Sequence, residues 1–277
     1  MTFYLMTDLE GVAGVYQWEN RDDTSRENHE RRCRQRVWLA EEVNAAVDGF
    51  YTGGADEVIV NDGHGAGYSI DLDVIDPRPQ IIHGQNRPFW LPFLDETCDA
   101  TGIVGGHAKA GTPNANLCHT MSSAIRDWQF NGISLGEMGL QAAIAGHYGV
   151  PFTFCSGDAH ACKEMEELIG GCVTVPVKWG TSTLSALTLP PQEARTRIRE
   201  GAERALEVTN YVELFDLGSP VHFRDERKEP TFDEEEPGDF TVIDAHTREI
   251  EAENIIELMY LIYDYPRDWQ PLNVTLG

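Results

Sequence analysis

The sequence predicts an α/β fold: a mostly parallel sheet flanked by helices, followed by a smaller mixed α+β C-terminal part. Three observations carry this. Short β-branched runs such as EVIVND (57–62) alternate with longer helical patterns, the signature of parallel strands joined by helical crossovers. After about residue 209 the pattern changes to short alternating runs, the signature of antiparallel strands. The 277 residues suffice for a large core and one or two domains, and we divide them into a core over 1–190 and a C-terminal part over 191–277, the latter a second subdomain or an oligomerisation element.

The first strand is read over roughly 2–7, followed by a loop through Gly11 and Gly14. Residues 26–53 are periodic in Val37, Leu39, Ala40, Val43, Ala46, Val47 and Phe50, which predicts a helix ending at Gly53-Gly54. EVIVND, QIIHG (80–84) and TGIVGG (101–106) are read as further strands, and 131–135 as a short strand leading into a helix over about 136–148. PFTFCSG (151–157) is a strand, 158–169 a helix, CVTVPV (172–177) a strand, and 191–208 a helix opened by Pro190-Pro191. Beyond it, VELF, VHFR and FTVIDA are read as antiparallel strands and 250–263 as a last helix.

A net charge of −25 disfavours nucleic acid and anionic membrane as partners, because both would be repelled. The densest acidic run, Asp233 to Glu236 between Pro230 and Pro237, is read as a solvated loop. No apolar run approaches the ~20 residues of a membrane span. The start, MTFYLMTDLEG, lacks a basic n-region and a long apolar h-region, which predicts a cytoplasmic protein without a signal peptide. The six cysteines form no CxxC pair and are read as buried thiols of a reducing compartment. Cys118 is no nucleophile in this reading, since the metal-ligand residues around it make a thiol unnecessary.

Five segments of the first half present residues that bind divalent metal: Asp8 and Glu10 in TDLEG, His64 in NDGHG, His107 in GGHAKAG, His119 in LCHTMSS and Glu137 in LGEMGL. Carboxylates and imidazoles are the donor set for zinc. Taken singly, each has a plainer reading: an Asp after a strand caps a turn, a lone His is hydrogen-bonded structure. Their shared placement changes the balance. Open parallel sheets bind ligands beyond the carboxyl ends of their strands, and Asp8 and Glu10 follow the first strand, His64 follows EVIVND, and His107 follows TGIVG. Glu137 is expected in the first turn of its helix, where the macrodipole favours an anion. The core over 1–190 is therefore read as metal-binding. His29, His83, His147, His160, His222 and His246 lack that context and are read as structural or surface residues.

At these residues the chain resembles the D-aminopeptidases typified by the dipeptide-transport-operon enzyme, the M55 metallopeptidases. The matching stretches are MTDLEGVAG, the NDGHG turn, GGHAKAGTP with the following His-Thr-Met-Ser, GEMGLQAAIAGHYGVP and SGDAHACKEMEEL, densest from residue 4 to about 170. The resemblance implies a cytoplasmic hydrolase with two Zn2+ per subunit, for which manganese or cobalt are alternatives. It implies Asp8 bridging the ions, Glu10 and His64 completing one site, and His107 and Glu137 the other. His119 matches the family's catalytic histidine, as nucleophile or as general acid/base. Lys109 either steadies a substrate carboxylate or oxyanion, or is a solvated lysine. A ring-like homo-oligomer and a short peptide substrate are further implications.

The chain departs from the family pattern at Ala159, where typical members carry a second Asp, and at Thr183, where they carry an Arg after Ser182. Neither position is an expected metal ligand; both bear on the substrate pocket. Three functions are therefore weighed: an aminopeptidase releasing N-terminal residues, D-amino acids foremost, from short peptides; a metal-dependent amidase on a non-peptide or L-aminoacyl substrate; and a metal-stabilised oligomeric binding protein without turnover.

Overall fold

The computed structural model describes residues 1–235 and 238–269. In chain order the elements are β1 (Thr2–Thr7), α1 (Arg26–Thr52), β2 (Glu57–Asp62), β3 (Gln80–Ile82), β4 (Ala100–Gly106), β5 (Ile125–Phe130), β6 (Ile133–Ser134), α2 (Glu137–His147), β7 (Phe152–Asp158), α3 (Ala159–Leu168), β8 (Val173–Ser182), β9 (Ser185–Thr188), α4 (Pro191–Glu207), β10 (Val221–Arg227), β11 (Thr241–Asp244), β12 (Thr247–Ala252) and α5 (Ile255–Tyr263). They form two sheets. The larger runs β3-β2-β1-β4-β7-β8-β9, parallel throughout except for the antiparallel edge strand β9. The smaller is antiparallel, β11-β12-β10-β5-β6. The expected mostly parallel α/β sheet with a mixed remainder is what is found.

Alternation along β1 divides the core. Phe3 and Leu5 face one side with Val58, Val60 and the apolar stripe of α1 (Leu39, Val43, Val47, Phe50) and of α4 (Ile198, Ala202). Tyr4 and Met6 face the other, where Ile103, α2, α5 and the second sheet close over them. Ser25 caps α1, its hydroxyl accepting from the Asn28 N–H at 3.2 Å. Among the described residues no helix is long and apolar enough to cross a membrane.

Several expectations need correction. VELF (212–215) is not a strand; its stretch, residues 213–218, has no regular structure. The last helix begins at Ile255 rather than at 250, because Asn254 Oδ1 accepts from the N–H groups of Ile256 and Glu257, each at 3.0 Å, and caps it there. The residues before it are β12, with Ile250 paired opposite Phe223. Ile125–Phe130 is a further strand outside the expected elements, with Ile125, Trp128 and Phe130 as its buried positions. Asp225 binds three strands together: its buried carboxylate accepts from Trp128 Nε1 (2.8 Å) on β5 and from Arg227 Nε (2.7 Å) and Arg248 Nε (3.2 Å) on β10 and β12. Of the acidic run, Asp233 to Glu235 are exposed, while Glu236 lies outside the described residues. Cys98, Cys155, Cys162 and Cys172 are buried free thiols, whereas Cys33 is exposed.

Glu42 on α1 is a buried carboxyl that supports the loop after β1, accepting from the Ala13 N–H at 2.9 Å. Burial pushes its pKa up from 4.5 to about 7, against the pull of that N–H, Lys178 and Arg195. An acid raised on folding keeps its proton in the folded chain after the unfolded chain has lost it. The resulting cost begins above the ordinary value and is complete once the pH exceeds the folded one, at about 3 kcal/mol. Glu42→Gln should therefore raise the Tm of the metal-free protein by roughly 5–10 °C at about pH 8 and leave it unchanged near ~pH 4. An equal shift at both values would assign the difference to packing rather than ionisation.

Candidate metal centre

The register of the parallel sheet aligns the ends of its central strands. Thr7 of β1 lies beside Asp62 of β2 and Val104 of β4. The residues that follow, Asp8 and Glu10, His64, and His107, therefore emerge at one edge. Backbones crowd there: a Cβ on Gly105 (φ +80°) would lie 1.9 Å from the Asp8 carbonyl oxygen, so glycine alone fits. Glu137 opens α2 on the neighbouring side, as expected, and its carboxylate accepts from the Met121 N–H at 2.7 Å. That bond ties the His119 segment to α2.

Two clusters result, Asp8-Glu10-His64 and His107-His119-Glu137, with donor atoms inside each within 4.8 Å of one another. Asp8 joins them. Its Oδ1 lies 3.0 Å from His64 Nδ1 and its Oδ2 3.0 Å from His107 Nε2. His64 Nδ1 is also 2.9 Å from Glu10 Oε2, and His107 Nε2 is 3.3 Å from Glu137 Oε1. The structure thus brings together all six residues singled out in the sequence.

Glu10 Oε2 and His107 Nε2 are buried without a hydrogen-bond partner, although each has a polar neighbour within 3.0 Å. Atoms that close yet misaligned direct their lone pairs into shared space rather than at each other. A cation between them is the chemistry that such donors suit, so these residues fit a metal.

The electrostatics agree. Burial pushes the Asp8 carboxyl up, but the neighbouring imidazoles of His107 and His64 outweigh it and hold Asp8 well below the usual carboxylate range. Burial likewise raises Glu137, and His107 brings it below its ordinary value. Burial disfavours charge on both imidazoles, yet Glu10 and Asp8 raise His64, and Glu137 and Asp8 raise His107, well above the ordinary histidine value. The carboxylates call for positive charge at this point, and protons on the histidines supply it when nothing else does.

The histidine tautomers follow from their outer partners. A carbonyl can only accept, so His107 Nδ1, 3.0 Å from the Ala108 carbonyl, carries a proton, and in the neutral imidazole the lone pair is at Nε2, towards Asp8 and Glu137. His119 Nδ1 donates in the same way to the Leu117 carbonyl at 2.9 Å, so in the neutral imidazole the lone pair is at Nε2, 3.6 Å from Glu137 Oε1. The His119 ring stacks on His107 at 4.1 Å, and Trp18 meets it edge-on at 5.2 Å.

Lys109 is engaged: its ammonium donates to the Ser134 carbonyl at 2.9 Å, and its backbone N–H to Glu164 Oε2 at 3.0 Å. Cys118 is turned to the Thr112 carbonyl at 3.6 Å. Three residues of this region were not singled out in the sequence. Trp18 and Glu19 sit in a loop without periodicity, where no sequence signal marks them. Lys178 did leave one, as the lone cation in the apolar strand VTVPVKWG. It is fully buried, donating to the carbonyls of Glu10 and Val15 (the latter at 2.7 Å) and to Asn116 Oδ1 at 2.8 Å, and burial brings its pKa down to about 8.

Comparison with known proteins follows the same lines. A family profile described as Peptidase_M55, D-aminopeptidase, matches residues 1–262. A D-aminopeptidase of Bacillus subtilis (strain 168) is 33% identical over 208 residues, 75% of this chain and 74% of that protein. The solved structure of the zinc-dependent D-aminopeptidase DppA from Bacillus subtilis, described as a self-compartmentalizing protease, matches with a TM-score of 0.87 at 28% identity, covering 95% of each chain.

Proposed function

The chain belongs to the M55 family of D-aminopeptidases, and from that premise we propose a zinc-dependent aminopeptidase that releases N-terminal residues, D-amino acids by preference, from short peptides. The observation that carries the reading is the pair of donor clusters joined through Asp8, with the free Nε2 of His119 beside them. In this proposal each subunit holds two zinc ions: Asp8 serves both, Glu10 and His64 hold one, and His107 and Glu137 the other. Manganese or cobalt suits the same donors. Zinc held there acts as a Lewis acid on the scissile carbonyl and lowers the pKa of water towards neutrality.

The protein's own groups do the rest. The His119 lone pair at Nε2 is the place where a proton is taken up and passed to the leaving amine. Leu117 keeps that imidazole in the required tautomer, and Trp18 walls one side of it. Lys109 spends one of its three ammonium N–H groups on Ser134, bracing the segment that leads into α2, and in this proposal keeps the others for a substrate carboxylate or oxyanion. The self-compartmentalizing relative supports a homo-oligomer, which we propose to be ring-like, with internal sites, and to work in the cytoplasm.

A second reading, an amidase acting on L-aminoacyl or non-peptide substrates, is favoured by Thr183. Its backbone carbonyl accepts from the Leu117 N–H and from Asn116 Nδ2, each at 2.9 Å, bonds that any residue there would make, so the departure changes only the side chain carried beside the loop that delivers His119. Metal-stripped protein titrated with zinc on matched D- and L-alanyl amides separates the two. Activity should return near two equivalents and favour the D substrate. Equal turnover of both would support the second reading, and recovery at one equivalent would refute the paired centre.

A further inference from the structure

Each of the three clustered imidazoles turns one nitrogen towards the carboxylates and the other away. For His107 and His119 the outward nitrogen meets a backbone carbonyl, at 3.0 Å and 2.9 Å. His64 has no such carbonyl. Its Nδ1 faces Asp8 and Glu10, and its Nε2 faces Glu19 Oε2 at 3.5 Å.

Glu19 is placed there with care. It lies in the connection between β1 and α1, and its side chain is only 10% exposed. Arg21 Nε donates to Oε2 at 2.6 Å from the same loop, and Arg32 Nε to Oε1 at 3.0 Å from α1. Gly65, next to His64, has φ +56°, and a Cβ there would lie 2.2 Å from Arg21 Nη2, so glycine admits the arginine to this position. Burial disfavours charge on Glu19, but two guanidinium groups, Arg21 and Arg32, each donate to its carboxylate and compensate it as an anion.

We infer that Glu19 is a positioning residue for metal binding: its carboxylate receives the outward N–H of His64 and so fixes the tautomer and ring plane that present Nδ1 to the Asp8-Glu10 cluster. An imidazole that offers the Nδ1 lone pair to a cation must carry its proton on Nε2. That N–H needs an acceptor in a nearly buried setting, and Glu19 is the acceptor that faces it. An anionic acceptor also makes the imidazole a stronger donor to the metal. The two arginines hold the carboxylate in place and couple the site to α1, 32 residues upstream of His64 in sequence at Arg32. The inference rests on the proposed paired centre.

The test is the zinc affinity of Glu19→Gln, measured by competition with a chromophoric chelator on the full chain. One of the two equivalents should weaken about 10–100-fold and the other should keep its native affinity, in a metal-free protein that still folds cooperatively though at a lower Tm, since Gln gives up the charge that Arg21 and Arg32 pair. Arg32→Gln loosens the same carboxylate without removing it, and should weaken the same equivalent several-fold; it decides the matter if Glu19→Gln does not fold. Native affinity at both equivalents, or an equal loss at both, overturns the inference. A native protein that binds a single equivalent counts against the paired centre instead, and Glu19 then stands or falls on whether that equivalent weakens.

Discussion

Asp8→Ala should strip the protein of the two zinc ions proposed above and reduce kcat/KM on a D-alanyl amide by about 10³-fold or more. The size follows from position. Among the described residues Asp8 is the side chain that joins the two clusters, with Oδ1 at His64 and Oδ2 at His107. Removing any other proposed ligand leaves one cluster intact; removing Asp8 damages both. Several kcal/mol of transition-state stabilisation depend on the centre, and each ~1.4 kcal/mol is tenfold in rate. Asp8→Asn is the informative companion. It keeps the shape and the Oδ1 acceptor for the Leu9 N–H, which bonds at 2.8 Å, but removes the charge that His64 and His107 face. If charge is what matters, Asn should fail nearly as badly as Ala. Metal content by atomic emission, alongside turnover, gives the answer: an Asp8→Ala protein with full zinc and full activity would sink the proposed centre.

How much of this was legible beforehand depended on how each residue reaches the site. Asp8, Glu10, His64 and His107 follow strands that announce themselves as short apolar runs, and a parallel sheet delivers such residues to one edge. Glu137 was legible because a glycine and an acid open an apolar helical pattern. Trp18 and Glu19 were not, since a loop without periodicity offers no face to read and their approach to His119 and His64 is set by tertiary packing. The second sheet was misread where local signals compete. EIEAENIIELMYLIY is dense in helix formers, and only the cap at Asn254 separates the strand ending at Ala252 from the helix after it. Pairing with β10 decides for the strand, and pairing is a long-range fact.

His119→Ala should have the opposite profile: turnover falls by about 10²–10⁴-fold, the effect of losing a positioned proton carrier, while fold and zinc content persist. The structure makes this a sharp test, because His119 Nε2 lies 3.6 Å from Glu137 Oε1 and belongs to the same cluster as His107. Proximity alone would allow it to be a ligand. The difference lies in what its removal leaves behind. Glu137 keeps the Met121 N–H and His107, and His107 keeps the Ala108 carbonyl that sets its tautomer, so a centre built on those two survives the loss. A ligand role predicts that one zinc equivalent leaves together with activity; a proton-carrier role predicts two equivalents retained in an inactive protein. Stacking on His107 at 4.1 Å adds a further reading. If the ring served only to brace His107, His119→Phe would restore turnover by restoring the stack. A phenyl ring carries no proton, so an inactive His119→Phe protein with both zinc ions in place isolates the chemistry at Nε2 from the packing of the ring.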